Sequence, residues 1–93
     1  MTHAAALVAL GDGTRRRLWE RLRRRPHAVG ELAGYLGVSQ PAASQHLAVL
    51  RRARLVRSQP EGRRRLYRVD PKGVAALRTY LDRMWTDALA ASS

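Results

Sequence analysis

The 93-residue chain contains no cysteine, phenylalanine, isoleucine or asparagine. Without cysteine it can form no disulfide and offers no thiolate to a metal ion. Acidic residues are scarce: seven Asp and Glu stand against eighteen Lys and Arg, a formal charge of +11. No apolar run approaches the roughly 20 residues needed to span a bilayer. The N-terminal run Ala4–Leu10 is too short for a secretory signal and follows no basic segment. These absences argue against a disulfide-stapled secreted scaffold and against a membrane protein. The expected location is the cytoplasm. A single domain of this size buries little apolar surface, so with disulfides and thiolate metal sites excluded, self-association is the remaining source of stability.

What is abundant is arginine, and its placement is uneven. Between Thr14 and Arg68 lie fifteen arginines and three acids (Glu20, Glu31, Glu61), a net of +12, while the remainder of the chain nets −1. A G+C-rich coding bias accounts for Arg in place of Lys, of which Lys72 is the only example. It does not confine the excess to one stretch. A basic centre between two nearly neutral ends points to a polyanionic partner met by the middle of the chain.

No internal repeat or low-complexity linker divides the sequence, which reads as one domain over residues 1–93. Ala6, Leu7 and Leu10 predict a first helix over about Thr2–Leu10, stopped by Gly11-Asp12-Gly13. Asp12 or Thr14 can cap a second helix over about Thr14–Arg24, with Leu18, Leu22 and Trp19 inward, which Pro26 then ends. A third, Val29–Leu36, turns Leu32, Ala33 and Leu36 inward and has Gly37 as its C-terminal cap. Ser39 caps a fourth, Gln40–Arg52, with Ala43, Leu47 and Leu50 as its core stripe. Two strands follow, Leu55–Gln59 and Arg64–Val69, around a turn at Pro60-Glu61-Gly62-Arg63. Asp70-Pro71 opens a last helix to about Ala90, whose stripe of Val74, Leu77, Leu81, Met84, Trp85 and Ala88 is wide for so small a core. Trp19, Tyr67, Tyr80 and Trp85 stand at spacings typical of packing residues.

Three features coincide in the basic region. Residues 29–52 read as helix, three-residue turn (Gly37-Val38-Ser39) and helix, the helix-turn-helix arrangement. Outside its core stripe the fourth helix carries Ser39, Gln40, Pro41, Ser44 and Gln45 near its start, with His46 at the margin; all but Pro41 can bond base edges or phosphates. The arginine-rich hairpin at about 55–69 is placed to act as a wing. Each feature has an ordinary alternative: a solvated face, edge-strand charges that block aggregation, and a histidine bonded within the turn. Together they favour nucleic acid.

In order along the chain, the segments Ala9-Leu10-Gly11-Asp12-Gly13-Thr14-Arg15, Val29-Gly30-Glu31-Leu32-Ala33 and Ser39-Gln40-Pro41-Ala42-Ala43-Ser44-Gln45-His46-Leu47 resemble the arsenic-repressor-type (ArsR/SmtB) winged-helix family. Leu50-Arg51-Arg52-Ala53-Arg54-Leu55-Val56, Glu61-Gly62-Arg63 and Tyr67-Arg68-Val69-Asp70 continue the likeness over nearly the whole chain, with Gly13 standing where the family often has proline. The resemblance implies a mostly α winged helix-turn-helix protein of about five helices and a two-stranded wing. It also implies a homodimer through the first and last helices (about 2–10 and 71–90) and a repressor of transcription. The chain's own pattern agrees on the dimer, since Leu7, Leu10, Leu77, Leu81, Met84 and Trp85 form more apolar surface than one small core uses.

The expected partners are thus double-stranded DNA, bound at an inverted repeat, and a second copy of the chain. Ser39, Gln40, Pro41, Ser44, Gln45 and His46 form the reading set, and Arg51, Arg52, Arg63, Arg64 and Arg65 supply backbone or minor-groove contacts. No metal or other cofactor is expected. The family's thiolate pair would fall around Val29–Glu31, and its other metal site near Pro71, Gly73, Met84 and Asp87, where no imidazole occurs. His3, His27 and His46 are scattered, no nucleophile–base arrangement is visible, and no glycine-rich phosphate loop is present, so an enzyme is not expected. No inducer can be named from the sequence. Two rival readings share the composition: a nucleic-acid-coating protein without sequence preference, and a winged helix that binds protein instead of DNA.

Overall fold

The structure, a computed structural model, describes residues 3–92. Five helices and a small sheet follow in the order α1 (His3–Gly11), α2 (Gly13–Leu22), β1 (His27–Ala28), α3 (Val29–Leu36), α4 (Gln40–Arg52), β2 (Val56–Glu61), β3 (Arg64–Val69) and α5 (Pro71–Ala91). Thr2, where the first helix was expected to begin, lies outside the described residues.

The glycine-flanked break works as a corner one residue long. α1 runs through Gly11, and Asp12 alone leaves the helical region (φ −79°, ψ 127°), its carboxylate accepting the Arg15 N–H at 2.9 Å. α2 ends at Leu22, two residues before the expected Arg24, because the Arg24 N–H bonds the Arg21 carbonyl at 3.1 Å and tightens the last turn ahead of Pro26. α3 and α4 have the expected bounds. Gly37 stands at φ +71°, a left-handed conformation that costs glycine least, and so ends α3 within the turn.

The sheet is larger than a hairpin. His27 and Ala28 pair antiparallel with Tyr67 and Leu66, giving strand order β1-β3-β2. Two residues carry no period-2 signal, so β1 was invisible to pattern reading. β2 starts one residue later than expected and extends through Pro60 and Glu61, leaving Gly62-Arg63 as a two-residue loop. Gly62 at φ +61° in the first loop position is the glycine requirement of a type II′ turn. Pro60 opposite Arg65 is tolerated because β2 is an edge strand, whose outer side needs no N–H donor.

Leu18 and Leu22 of α2, Leu32 of α3, Leu47 and Leu50 of α4, and Leu55 and Val56 meet in one core, closed by Ala6, Ala9 and Ala53. The Leu55 carbonyl binds the chain together by accepting both the Trp19 indole N–H and the Asp70 N–H, each at 3.0 Å. Only the start of α5 joins this core. A Cβ on Gly73 would lie 1.7 Å from the Arg54 carbonyl oxygen, so the helix crosses the α4–β2 turn at backbone contact. Leu77 is buried in the core and Val74 is half-buried. Beyond Tyr80 the helix projects, and Leu81, Met84 and Trp85 are exposed; Trp85, expected at a packing position, is 69% exposed within the chain. Among the described residues no helix is long and apolar enough to cross a membrane.

Candidate nucleic-acid interface

The start of α4 is built for presentation. Ser39 stands in extended backbone and its hydroxyl accepts the Ala42 N–H at 3.2 Å, so one lone pair caps the helix while the O–H remains a donor. Pro41 occupies the first turn, where its missing N–H leaves no gap in the ladder. With Ala43, Leu47 and Leu50 fully buried, Gln40, Pro41, Ser44, Gln45, Arg51 and Arg52 are left exposed. At roughly 100° per residue these positions form one face centred near Ala48. His46 stands roughly 170° from that centre. It is half-buried on the opposite flank, close enough to Asp12 to help hold that carboxyl below its ordinary value, behind the larger effect of the Arg15 N–H bond. Of the six expected reading residues, Gln40, Pro41, Ser44 and Gln45 share that face, Ser39 caps the helix start ahead of it, and His46 is off it. Gln40 also borders α3: a Cβ on Gly30 would approach its Nε2 at 3.3 Å, so a small residue there lets the two helix starts converge.

The wing supplies the second component. Arg63, Arg64 and Arg65 are all exposed around the Gly62-Arg63 loop. Arg65 donates to the Ser58 hydroxyl at 3.1 Å across the hairpin. Arg64 reaches two carboxylates, Glu61 at 3.6 Å and Glu31 at 3.9 Å, both loose surface pairs. Arg57 on β2 is a further exposed wing cation that the sequence reading did not single out. Only its register opposite Arg68 gives it a place, and register follows from the turn.

Glu31 was also missed, because a lone glutamate in a helix's first turn is unremarkable as a pattern. Its Oε1 accepts the Ala28 N–H at 2.9 Å, which holds its carboxyl below the usual glutamate range. Its Oε2 lies 3.7 Å from both Arg25 and the His27 ring. It therefore ties the start of α3 to β1 and to the wing. His27 is 3% exposed, and neither ring nitrogen has a hydrogen-bond partner among the described residues. Leaving such a group unsatisfied costs about 1–3 kcal/mol. Burial, reinforced by the Arg25 charge and opposed by Glu31, keeps this imidazole below the ordinary histidine value of 6.5. Among the described residues no group of three or more His, Asp or Glu side chains is placed to hold a metal ion.

Of the expected dimer residues, the structure leaves Leu7, Leu81, Met84 and Trp85 exposed, places Leu10 half-buried against the core, and puts Leu77 inside it.

The family described as "Bacterial regulatory protein, arsR family" matches residues 12–58. The chain is 64% identical over 84 residues to the HTH-type transcriptional regulator Rv2034 of Mycobacterium tuberculosis, covering 90% of this chain and 78% of that protein. Among solved structures it is similar to a possible transcriptional regulator for arsenical resistance (41% identity, 94% of each chain, TM-score 0.77). It is also similar to the homodimeric winged helix-turn-helix DNA-binding domain Mb0332 of Mycobacterium bovis (28% identity, 90% of this chain and 78% of that one, TM-score 0.73).

Proposed function

The chain belongs to the arsR family of bacterial regulatory proteins, and from that premise we propose that it is a homodimeric repressor that reads an inverted-repeat operator. The observation that carries this reading is the exposed polar face of α4, bordered on one side by the start of α3 and followed by a wing bearing three consecutive exposed arginines. In the major groove, Gln40, Ser44 and Gln45 present amide and hydroxyl groups to base edges, and Gln45 suits the paired donor and acceptor of adenine. Pro41 adds an apolar surface for a thymine methyl. The Ser39 O–H, Arg51, Arg52 and Arg63–Arg65 bind phosphates, which positions the helix and gives binding its salt dependence. His46 serves the protein's interior side, next to Asp12.

Self-association is supported by the exposed Leu7, Leu81, Met84 and Trp85 on two weakly charged helices, and by the homodimer named for the similar domain from M. bovis. Leu77 anchors the base of α5 so that the projecting half is held for pairing. A two-fold axis through these helices sets two α4 helices roughly 34–36 Å apart, one turn of DNA. The test is fluorescence anisotropy against the DNA upstream of the protein's own gene and a shuffled copy, over a salt series. A preference of roughly a thousandfold supports the operator reading. Equal, steeply salt-dependent binding to that DNA, to its shuffled copy and to a library of genomic fragments would favour a protein that coats nucleic acid.

A further inference from the structure

A second basic surface lies on α2 and α3, apart from the exposed face of α4. A cleft of about 310 Å³ is lined by Arg21, Arg25, His27, Glu31, Leu32 and Tyr35. A second hollow of about 380 Å³ shares Arg21 and Tyr35 with it and adds Arg23 and Arg24, with Glu20 its single acid. The Arg21 guanidinium carbon lies 4.5 Å from the centre of the Tyr35 ring, and that of Arg17 lies 5.9 Å away. Among the described residues neither Arg17 nor Arg21 has a carboxylate partner or a hydrogen-bond acceptor. The ring contact holds Arg21 over Tyr35 and leaves its N–H donors unspent.

Behind these guanidinium groups stands His27, whose side chain is 4% exposed and whose two ring nitrogens lack partners. The nearest carboxylate oxygen, Glu31 Oε2, is 3.7 Å from Nδ1, beyond hydrogen-bond range. A buried imidazole with no acceptor for its proton, beside an Arg21 guanidinium with no anion, leaves neighbouring donors without an acceptor.

We propose that this cleft binds a small anion carrying two or more negative charges on clustered oxygens, a phosphorylated or polycarboxylate metabolite. Arg21 and Arg25 grip its oxygens, the His27 ring, which lines the cleft, turns an N–H toward them, and the Tyr35 ring walls one side. The volume lies at the small end of ligand sites. Occupancy also reaches the wing. An anion that takes Arg25 from Glu31 leaves that carboxylate to Arg64, 3.9 Å away, and so weakens the hold of Arg64 on phosphate. This last step rests on the DNA-reading role proposed above; binding in the cleft does not.

Isothermal titration of the full chain with pyrophosphate and, separately, with citrate tests the site at physiological salt. Expected is saturable binding of one anion per chain, weakened roughly tenfold or more in Arg21→Gln and in His27→Phe. Arg78→Gln, which removes an arginine from α5, should bind like the parent. Preference for one probe identifies the phosphorylated or the carboxylate source. Because His27→Phe alters a buried side chain, the ring nitrogen shifts of His27 are followed by NMR in the unaltered protein and should move on titration. Heats that do not saturate, or that are equal in the parent and Arg21→Gln, would overturn the proposal and leave only screening of a +11 chain. A linear titration with a shallower DNA salt slope in Arg21→Gln would overturn it as well, reassigning the patch to flanking DNA. Operator affinity is then measured with the anion and with sodium chloride of matched ionic strength. A saturable site with no anion-specific loss of DNA binding would refute the coupling through Glu31 alone.

Discussion

Gln45 and Arg64 separate the two kinds of contact at the scale of single residues. Gln45 is exposed on the face of α4 and carries no charge, so Gln45→Ala removes a base-edge contact without altering the field. Discrimination between operator and shuffled DNA should fall by about 1–3 kcal/mol in competition anisotropy, with the salt slope unchanged. Arg64→Ala should weaken both DNAs alike and reduce the slope by about one unit. His27 makes a prediction of a different kind. Its folded-state value lies below the ordinary 6.5, so between those two values the unfolded chain binds more protons than the folded one. Stability is therefore full above pH 6.5 and is lost as pH falls from there toward the folded value. Urea unfolding near pH 7.5 and about pH 5 should show this decline, and His27→Phe should flatten it while relieving the unsatisfied nitrogens. An unchanged slope in that variant would assign the decline to another group.

Among the elements, the α4–β2 turn and the start of α5 are the most constrained junction. Arg54 adopts φ +61°, a left-handed angle that non-glycine residues disfavour, and its carbonyl faces Gly73. In Gly73→Ala the new carbon would meet backbone, which no rotamer change relieves. The substitution should cost roughly 3 kcal/mol, lowering Tm by roughly 10–20 °C in thermal unfolding followed by circular dichroism. An unshifted Tm would mean that α5 moves freely over the turn. Sequence patterns located α3, α4 and β3 to the residue because each has local markers: the Gly37 stop, the Ser39 cap, and alternation bounded by turn residues. β1 has no such marker. It exists because Arg64–Val69 offers an unpaired edge to residues that Pro26 has already extended.

At the scale of the molecule, the radius of gyration is 14.9 Å, against about 12 Å for a compact chain of this length. The excess comes from the projecting half of α5, which leaves Met84 half-exposed and Trp85 largely bare. A helix of that composition gains most by pairing with its copy. Trp85→Glu should therefore shift the protein toward monomer in sedimentation equilibrium while leaving helix content nearly intact, since the side chain adds nothing to the core. Operator affinity should fall with it, because two half-sites would no longer be bound through one linked pair. A dimer of unchanged strength would place the interface elsewhere.

By itself, the sequence determined the class of the protein and the chemistry of the exposed face of α4. Helical spacing, three side-chain caps, a glycine stop and the confinement of the basic excess to residues 14–68 are local or compositional properties, present before any contact forms. Only the tertiary structure decided which apolar residues of α5 are core and which are surface, because Leu77 and Leu81 lie one turn apart on the same stripe and differ only in whether α5 has yet left the domain. It alone brought Glu31, Arg25, His27 and Arg64 together. Those groups come from a turn, a helix start and two strands up to 39 positions apart, and no periodicity links residues whose proximity is set by packing.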